Sequence, residues 1–273
     1  MMTMGETELR ERLAGIKAGG YADLATVDLD PLVEAMLSHI GSTDSVLRDD
    51  LIYEAFAEII LRREPERKLV FRILDACLAK ITDGVDAEDR DKVFSRSFSM
   101  LVLALVLERD REAPFLGGSR TREAFDRICD AYRRERNLAG YYPDKGWAHT
   151  VAHAADAFAL LVGSAWLSDD DAARVLDLIR DKFLQPLHPF IDGEDERTAR
   201  VIEAMLVARP SMQGRVMEWA ASLARCGLPA DMPGRFIVKG NVRNLLRSIY
   251  FICDRNEALR RLVEESLAEL GFS

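Results

Sequence analysis

Asp44-Ser-Val-Leu-Arg-Asp-Asp-Leu-Ile-Tyr-Glu-Ala-Phe-Ala-Glu-Ile-Ile60 is the stretch on which the reading of the fold turns. Its apolar residues Leu47, Leu51, Ile52, Ala55, Phe56, Ile59 and Ile60 recur at steps of three and four, the period of one helix face packed against a neighbour. Ser42-Thr43-Asp44 supplies acceptors for the first free backbone N–H groups, and Pro65 separates this helix from the next, which Asp83-Gly84 ends. Val, Ile and Thr nowhere alternate with polar residues for long enough to make a sheet.

The same period runs outward in both directions. It predicts helices over residues 6–17, 29–40, 44–63, 66–82, 87–109, 120–136, 147–163, 169–185, 195–208, 211–226, 239–253 and 256–270. The stretch from Asp44 resembles a HEAT-type repeat, and helix pairs of about 40 residues stacked side by side would bury such stripes. The expected fold is therefore all-α: about twelve helices in antiparallel pairs, stacked as an irregular HEAT-like superhelix that forms one domain over residues 1–273. Phe98-Ser-Met-Leu-Val-Leu-Ala-Leu-Val-Leu107 is apolar nearly all round and belongs to an inner layer. Acidic clusters at Asp86/Glu88/Asp89, Asp169–Asp171 after Ser168 and Glu194–Glu196 after Gly193 read as first-turn charges facing the helix dipole. Gly19-Gly20 and Gly117-Gly118 read as loop punctuation.

The chain has 273 residues with 37 Lys and Arg against 46 Asp and Glu, a net charge of -9, which excludes a generally basic nucleic-acid or anionic-membrane binder. At 48% hydrophobic residues it has material for a packed core. The longest apolar run is half of what a membrane helix needs, and Met1–Leu13 has the composition of neither a signal peptide nor a lipidation site, so a cytoplasmic location is expected. Cys77, Cys129, Cys226 and Cys253 form no C-x-x-C pair and read as reduced core thiols.

One constellation stands out. Leu138-Ala-Gly-Tyr-Tyr-Pro-Asp-Lys-Gly-Trp147, a loop dense in Gly, Pro and aromatics, runs into Ala148-His-Thr-Val-Ala-His-Ala-Ala-Asp156. At about 100° per residue, His149, His153 and Asp156 share an arc of about 60° on a helix starting at Trp147. That helix would bury Trp147, Val151, Ala154 and Phe158 on its opposite side. Imidazoles at i and i+4 can hold a divalent metal, with Asp156 as third ligand or orienting carboxylate, and a His-Asp pair can act as a general base. Against a single shared ion stands a rise of about 10 Å between His149 and Asp156. Thr150 also breaks the H-E-x-x-H zinc-protease pattern. The plain alternative is a polar helix face of neutral, hydrogen-bonded histidines. Tyr141, Tyr142 and Trp147 either wall a ligand pocket or pin the loop, and Trp147 by its helical phase packs inward.

Arg96 lies one turn before the apolar run and reads as half of a structural ion pair, with ligand contact as the alternative. Lys239, Arg243 and Arg247 form a cationic stripe at i, i+4 and i+8, suited to a small anionic ligand or an acidic partner, or to pairing with Glu264, Glu265 and Glu269. Residues 235–261 carry seven basic against two acidic residues, so the overall acidity is unevenly spread. No aromatic stacking platform accompanies the stripe, which argues against nucleic acid. The glycine-rich nucleotide motifs, the G-x-S-x-G elbow and the kinase signatures are all absent.

Leu47-Arg48-Asp49, Arg96-Ser97-Phe98-Ser99, Gly146-Trp147-Ala148-His149 with Ala152-His153 and Asp156, and Asn241 to Tyr250 together resemble the domain of unknown function 2785 family, bacterial proteins of about this length. The resemblance implies a single helical domain and draws attention to the His/His/Asp face, but it implies no reaction. The expected function is a non-enzymatic scaffold whose concave face, including His149, His153 and Asp156, binds a partner protein or small ligand. One alternative is a metal-dependent, hydrolase-like enzyme using His149 and His153 as ligands. The other is a structural homodimer joined through the cationic stripe.

Overall fold

The computed structural model describes residues 4–63, 65–85 and 90–271. The acidic cluster at Asp86, Glu88 and Asp89 lies outside them. Twelve α-helices form among the described residues, with a single pair of two-residue strands, and the fold is all-α. In chain order the helices are α1 (Glu6–Ala18), α2 (Leu29–His39), α3 (Glu54–Ala57), α4 (Arg67–Lys80), α5 (Lys92–Glu112), α6 (Gly117–Arg134), α7 (Thr150–Leu161), α8 (Asp169–Phe183), α9 (Glu194–Ala208), α10 (Gln213–Ala224), α11 (Gly234–Ile252) and α12 (Glu257–Glu269). Strands β1 (Tyr141–Tyr142) and β2 (Gly146–Trp147) form an antiparallel hairpin between α6 and α7.

Backbone contacts divide the chain into two compact units, residues 1–157 and 158–273. In the first, α5 is the central element. It packs on α4, on α3 and on the helical turns either side of α3, and its residues from Phe98 to Leu107 are buried except Leu101. Each such Val or Leu contributes about 1.5–3 kcal/mol on burial, so this one helix supplies a large share of the unit's core. The stretch from Asp44 is helical as its period requires, but Val46–Tyr53 and Glu58–Arg62 are wound as π-helix, with hydrogen bonds one residue longer than α, on either side of α3.

In the second unit, α9 packs on α11 and α10 on α12, so two helical hairpins lie against each other. Ser168 accepts from Asp171 N while the Asp171 carboxylate accepts from Ser168 N at 2.7 Å, a complete capping box that starts α8. Gly193, at φ +88°, sits at the left-handed entry to α9, whose first turn carries Glu194, Asp195 and Glu196. Glu194 itself is buried, and desolvation holds its carboxyl above the usual range. Gly117 and Gly118, expected in a loop, instead open α6, because Asp110 caps the preceding turn by accepting from Phe115 N (2.6 Å) and Leu116 N (2.7 Å). Cys77, Cys129 and Cys253 are buried free thiols, whereas Cys226 is half-buried.

Candidate functional site

Where the sequence predicts the start of α7 at Trp147, the backbone forms a hairpin. Tyr142 and Lys145 close a turn through Lys145 N to Tyr142 O (3.1 Å), with Pro143 at its second position. Gly146 follows at φ +78°. A side chain there would bring Cβ within 2.8 Å of Ser45 Cβ and 3.1 Å of Arg48 Nη2, so the chain can pass only as glycine. Ala148 N and His149 N both donate to Gly140 O, and α7 begins at Thr150, held by Thr150 Oγ1 to Asn137 O at 2.9 Å.

His149 therefore precedes the helix. Its φ of +49° lies in the left-handed region, uncommon outside glycine, while its carbonyl accepts the first helical bond from His153 N. Released from helical phase, Trp147 points outward with 42% of its surface exposed, not inward as its spacing implied; Tyr141 is 47% exposed. Their rings meet edge to face at 4.7 Å between centroids, and the His149 ring lies against the Trp147 ring at 4.3 Å. His149 and His153 in turn meet at 5.8 Å, and His153 meets Phe98 at 5.4 Å. A continuous row of rings runs from surface to core.

Arg48 anchors this arrangement. The side chain is fully buried, and its guanidinium donates to the carbonyls of Ser42 (2.7 Å), Lys145 (2.8 Å) and Trp147 (3.3 Å). It also pairs with Asp49 at 2.8 Å and lies over the rings of Phe94 (4.3 Å) and Phe98 (4.7 Å). Burial lowers the Arg48 pKa and raises that of Asp49 to about 6, the latter against the opposing pull of the guanidinium. Lys145 adds an ion pair to Asp91 at 2.7 Å, and Tyr142 donates to Asn137 Oδ1 (2.9 Å) while packing on Phe94, Val93 and Ala148.

His153 is 4% exposed and Ser97 is 1% exposed. Ser97 Oγ donates to the Ala148 carbonyl and lies 2.8 Å from His153 Nδ1. Ser97 thereby joins His153 to the backbone at the entry to α7. Asp156 is half-buried on α7. Among the described residues, no three His, Cys, Asp or Glu side chains gather as a metal ion would need.

A family model described as "Protein of unknown function (DUF2785)" matches residues 80–251, well over half the chain. The chain belongs to the DUF2785 family. No curated protein and no solved structure matches it. The matched span of this DUF2785 chain contains Ser97, the whole hairpin, His149 and His153, while Arg48 and Asp49 lie before it.

The structure brings Tyr141, Tyr142, Trp147, His149 and His153 together. Arg96 turns elsewhere: its guanidinium holds Glu135 through two bonds of 2.6 and 3.0 Å and donates to the carbonyls of Asp83 and Gly84. Lys239, Arg243 and Arg247 belong to α11 of the other unit, where Arg243 donates to Asn244 Oδ1 (3.0 Å) and Glu269 pairs with Arg225 at 3.5 Å. Sequence reading missed the part played by Arg48, Asp49 and Lys145. Arg48 did carry a signal, since at about 100° per residue it falls inside the apolar arc running from Leu47 to Ile60.

Proposed function

We propose that this protein is a binding module whose recognition element is the β1–β2 hairpin, with Tyr141 and Trp147 as aromatic anchors and His149 as the polar edge beside them. The observation that carries this reading is an exposed aromatic pair, 4.7 Å apart, on a backbone held by Arg48, Lys145 and Tyr142. Exposed Trp and Tyr bring large contact area with few torsions to freeze, and a pinned frame lowers the ordering cost further. Ligands of this class present an apolar or planar group to the rings, as one side chain of a partner protein does.

Peptide arrays probed with the full-length chain test the proposal. Peptides retained by the wild type are expected to lose about tenfold or more in affinity with Tyr141→Ala Trp147→Ala, the equivalent of about 1.4 kcal/mol, at unchanged Tm. Retention that is indifferent to that pair of substitutions removes the hairpin from recognition.

A further inference from the structure

A second site lies in the other unit, at the turns of its two helical hairpins. A groove of about 1050 Å³ runs between the α9–α10 turn, at Pro210, and the α11–α12 turn, Cys253 to Asn256. Val207 and Phe251 line it and are 78% and 73% exposed, unusual values for large apolar side chains. Its wall is set: Gln213 and Asn256 exchange amide hydrogen bonds of 2.8 and 3.4 Å, and Asn256 caps α12 by accepting from Leu259 N.

Carboxylates outnumber cations in the groove. Its lining carries Glu203, Asp254 and Glu257 against Arg255, and Glu257 also pairs with Arg261 of α12 at 3.7 Å, on the exposed surface. The last turns of α9 and α11 both line the groove, and neither contains a basic residue, so two negative helix ends add to the carboxylates. Arg209, at the C-cap of α9, commits its guanidinium elsewhere: to the carbonyls of Val162, Ser164 and Leu167 and to Asp169. Cys253 registers the same field. Its thiol is pushed up to about 12 by burial first and then by Glu203 and Asp254, so it stays protonated at neutral pH and offers no nucleophile.

We infer that this groove binds a cationic amphipathic segment of a partner protein, which lays apolar side chains on Val207 and Phe251 and directs Lys or Arg to Glu203, Asp254, Glu257 and the helix ends. The apolar contacts give affinity and the charges give sign selectivity and salt dependence. This site is independent of the hairpin, and each can fail alone.

The test uses the full-length chain and two fluorescein-labelled peptides with Leu at helical spacing, one carrying Lys and the other Glu at the remaining positions. Fluorescence anisotropy is expected to show the Lys peptide binding at least about tenfold more tightly, less so as salt rises. Asp254→Asn Glu257→Gln and, separately, Phe251→Ser are each expected to weaken it by about tenfold. Glu8→Gln Glu11→Gln on α1, which removes the same charge from the other unit, should leave binding unchanged. Should Phe251→Ser lower the Tm, Val207→Ser takes its place. Equal binding of the two peptides, equal loss with the α1 variant, or no loss when the apolar residues are replaced overturns the inference. So does concentration-dependent dimerisation lost in Asp254→Asn Glu257→Gln, which would make a second copy the occupant.

Discussion

Arg48 shows how one side chain can hold a surface feature from the core. Fully buried, it satisfies carbonyls of Ser42, Lys145 and Trp147 and stacks on two phenylalanines, so its removal empties a cavity and leaves Asp49 without its cation. Arg48→Ala is expected to cost about 3–5 kcal/mol, measured by urea denaturation, and Arg48→Lys to recover only part, since an ammonium cannot span three carbonyls and a carboxylate. A loss below about 1 kcal/mol would show that the hairpin does not depend on it. Asp49 gives a pH signature. Its folded pKa of about 6 lies above the unfolded value of about 3.9, so between those limits the native state binds more protons and the Asp49 contribution to stability falls as pH rises. Asp49→Asn removes that contribution: relative to wild type, the variant should gain stability from pH 4 to 6 and hold a constant difference above. His149 is the third residue of interest, because its left-handed backbone is tolerated at a cost of about 1–3 kcal/mol. His149→Gly should be at least as stable as His149→Ala in thermal melts, while both lose the ring that lies on Trp147. The reverse order would mean that the backbone there is unstrained.

At the scale of elements, the hydrophobic period locates every α-helix among the described residues but not the 3-10 turn at Ala22–Ala25, because an α-helix buries a stripe against a neighbour and that requirement is written residue by residue. The inner placement of Phe98–Leu107 is legible because that run is apolar nearly all round and so needs cover on most sides. The hairpin was not, for two physical reasons. Two-residue strands are too short to alternate, and the left-handed turn at Gly146 is set by the close approach of Ser45 and Arg48, about 100 positions away. Helical phase carried back to Trp147, three residues before α7 starts, turns the indole inward, whereas the hairpin turns it out. The π-helical winding of Val46–Tyr53 was equally invisible, since it changes hydrogen-bond partners and not the polarity pattern. Gly146→Ala should unseat the hairpin: a fall in Tm with increased acrylamide quenching of tryptophan is expected, and wild-type values for both would contradict the close approach. Gly117-Gly118 opens α6 instead of punctuating a loop, but side-chain acceptors at the head of a helix carry a clear local signal. The Ser168-Asp171 capping box is an instance, and Ser168→Ala is expected to cost about 1 kcal/mol in denaturant melts.

At the scale of the molecule, the chain is a DUF2785 protein with two compact units. The first unit presents aromatic rings on a pinned hairpin, and the second a groove with carboxylates in excess of cations and two exposed apolar side chains. The net charge of -9 takes on local meaning, since helix first turns such as Asp169–Asp171 account for some of the acidity and the groove for another part. No described helix is long and apolar enough to cross a membrane. On the proposal above, Tyr141 and Trp147 form a binding surface and not merely a cover for the residues beneath them. The most direct measurement is the affinity of array-selected peptides for the wild type and for Tyr141→Ala Trp147→Ala, with the Tm of both recorded. An affinity loss of about tenfold or more is expected, with the Tm nearly unchanged. Unchanged affinity, or a loss that merely follows a fall in Tm, would contradict it.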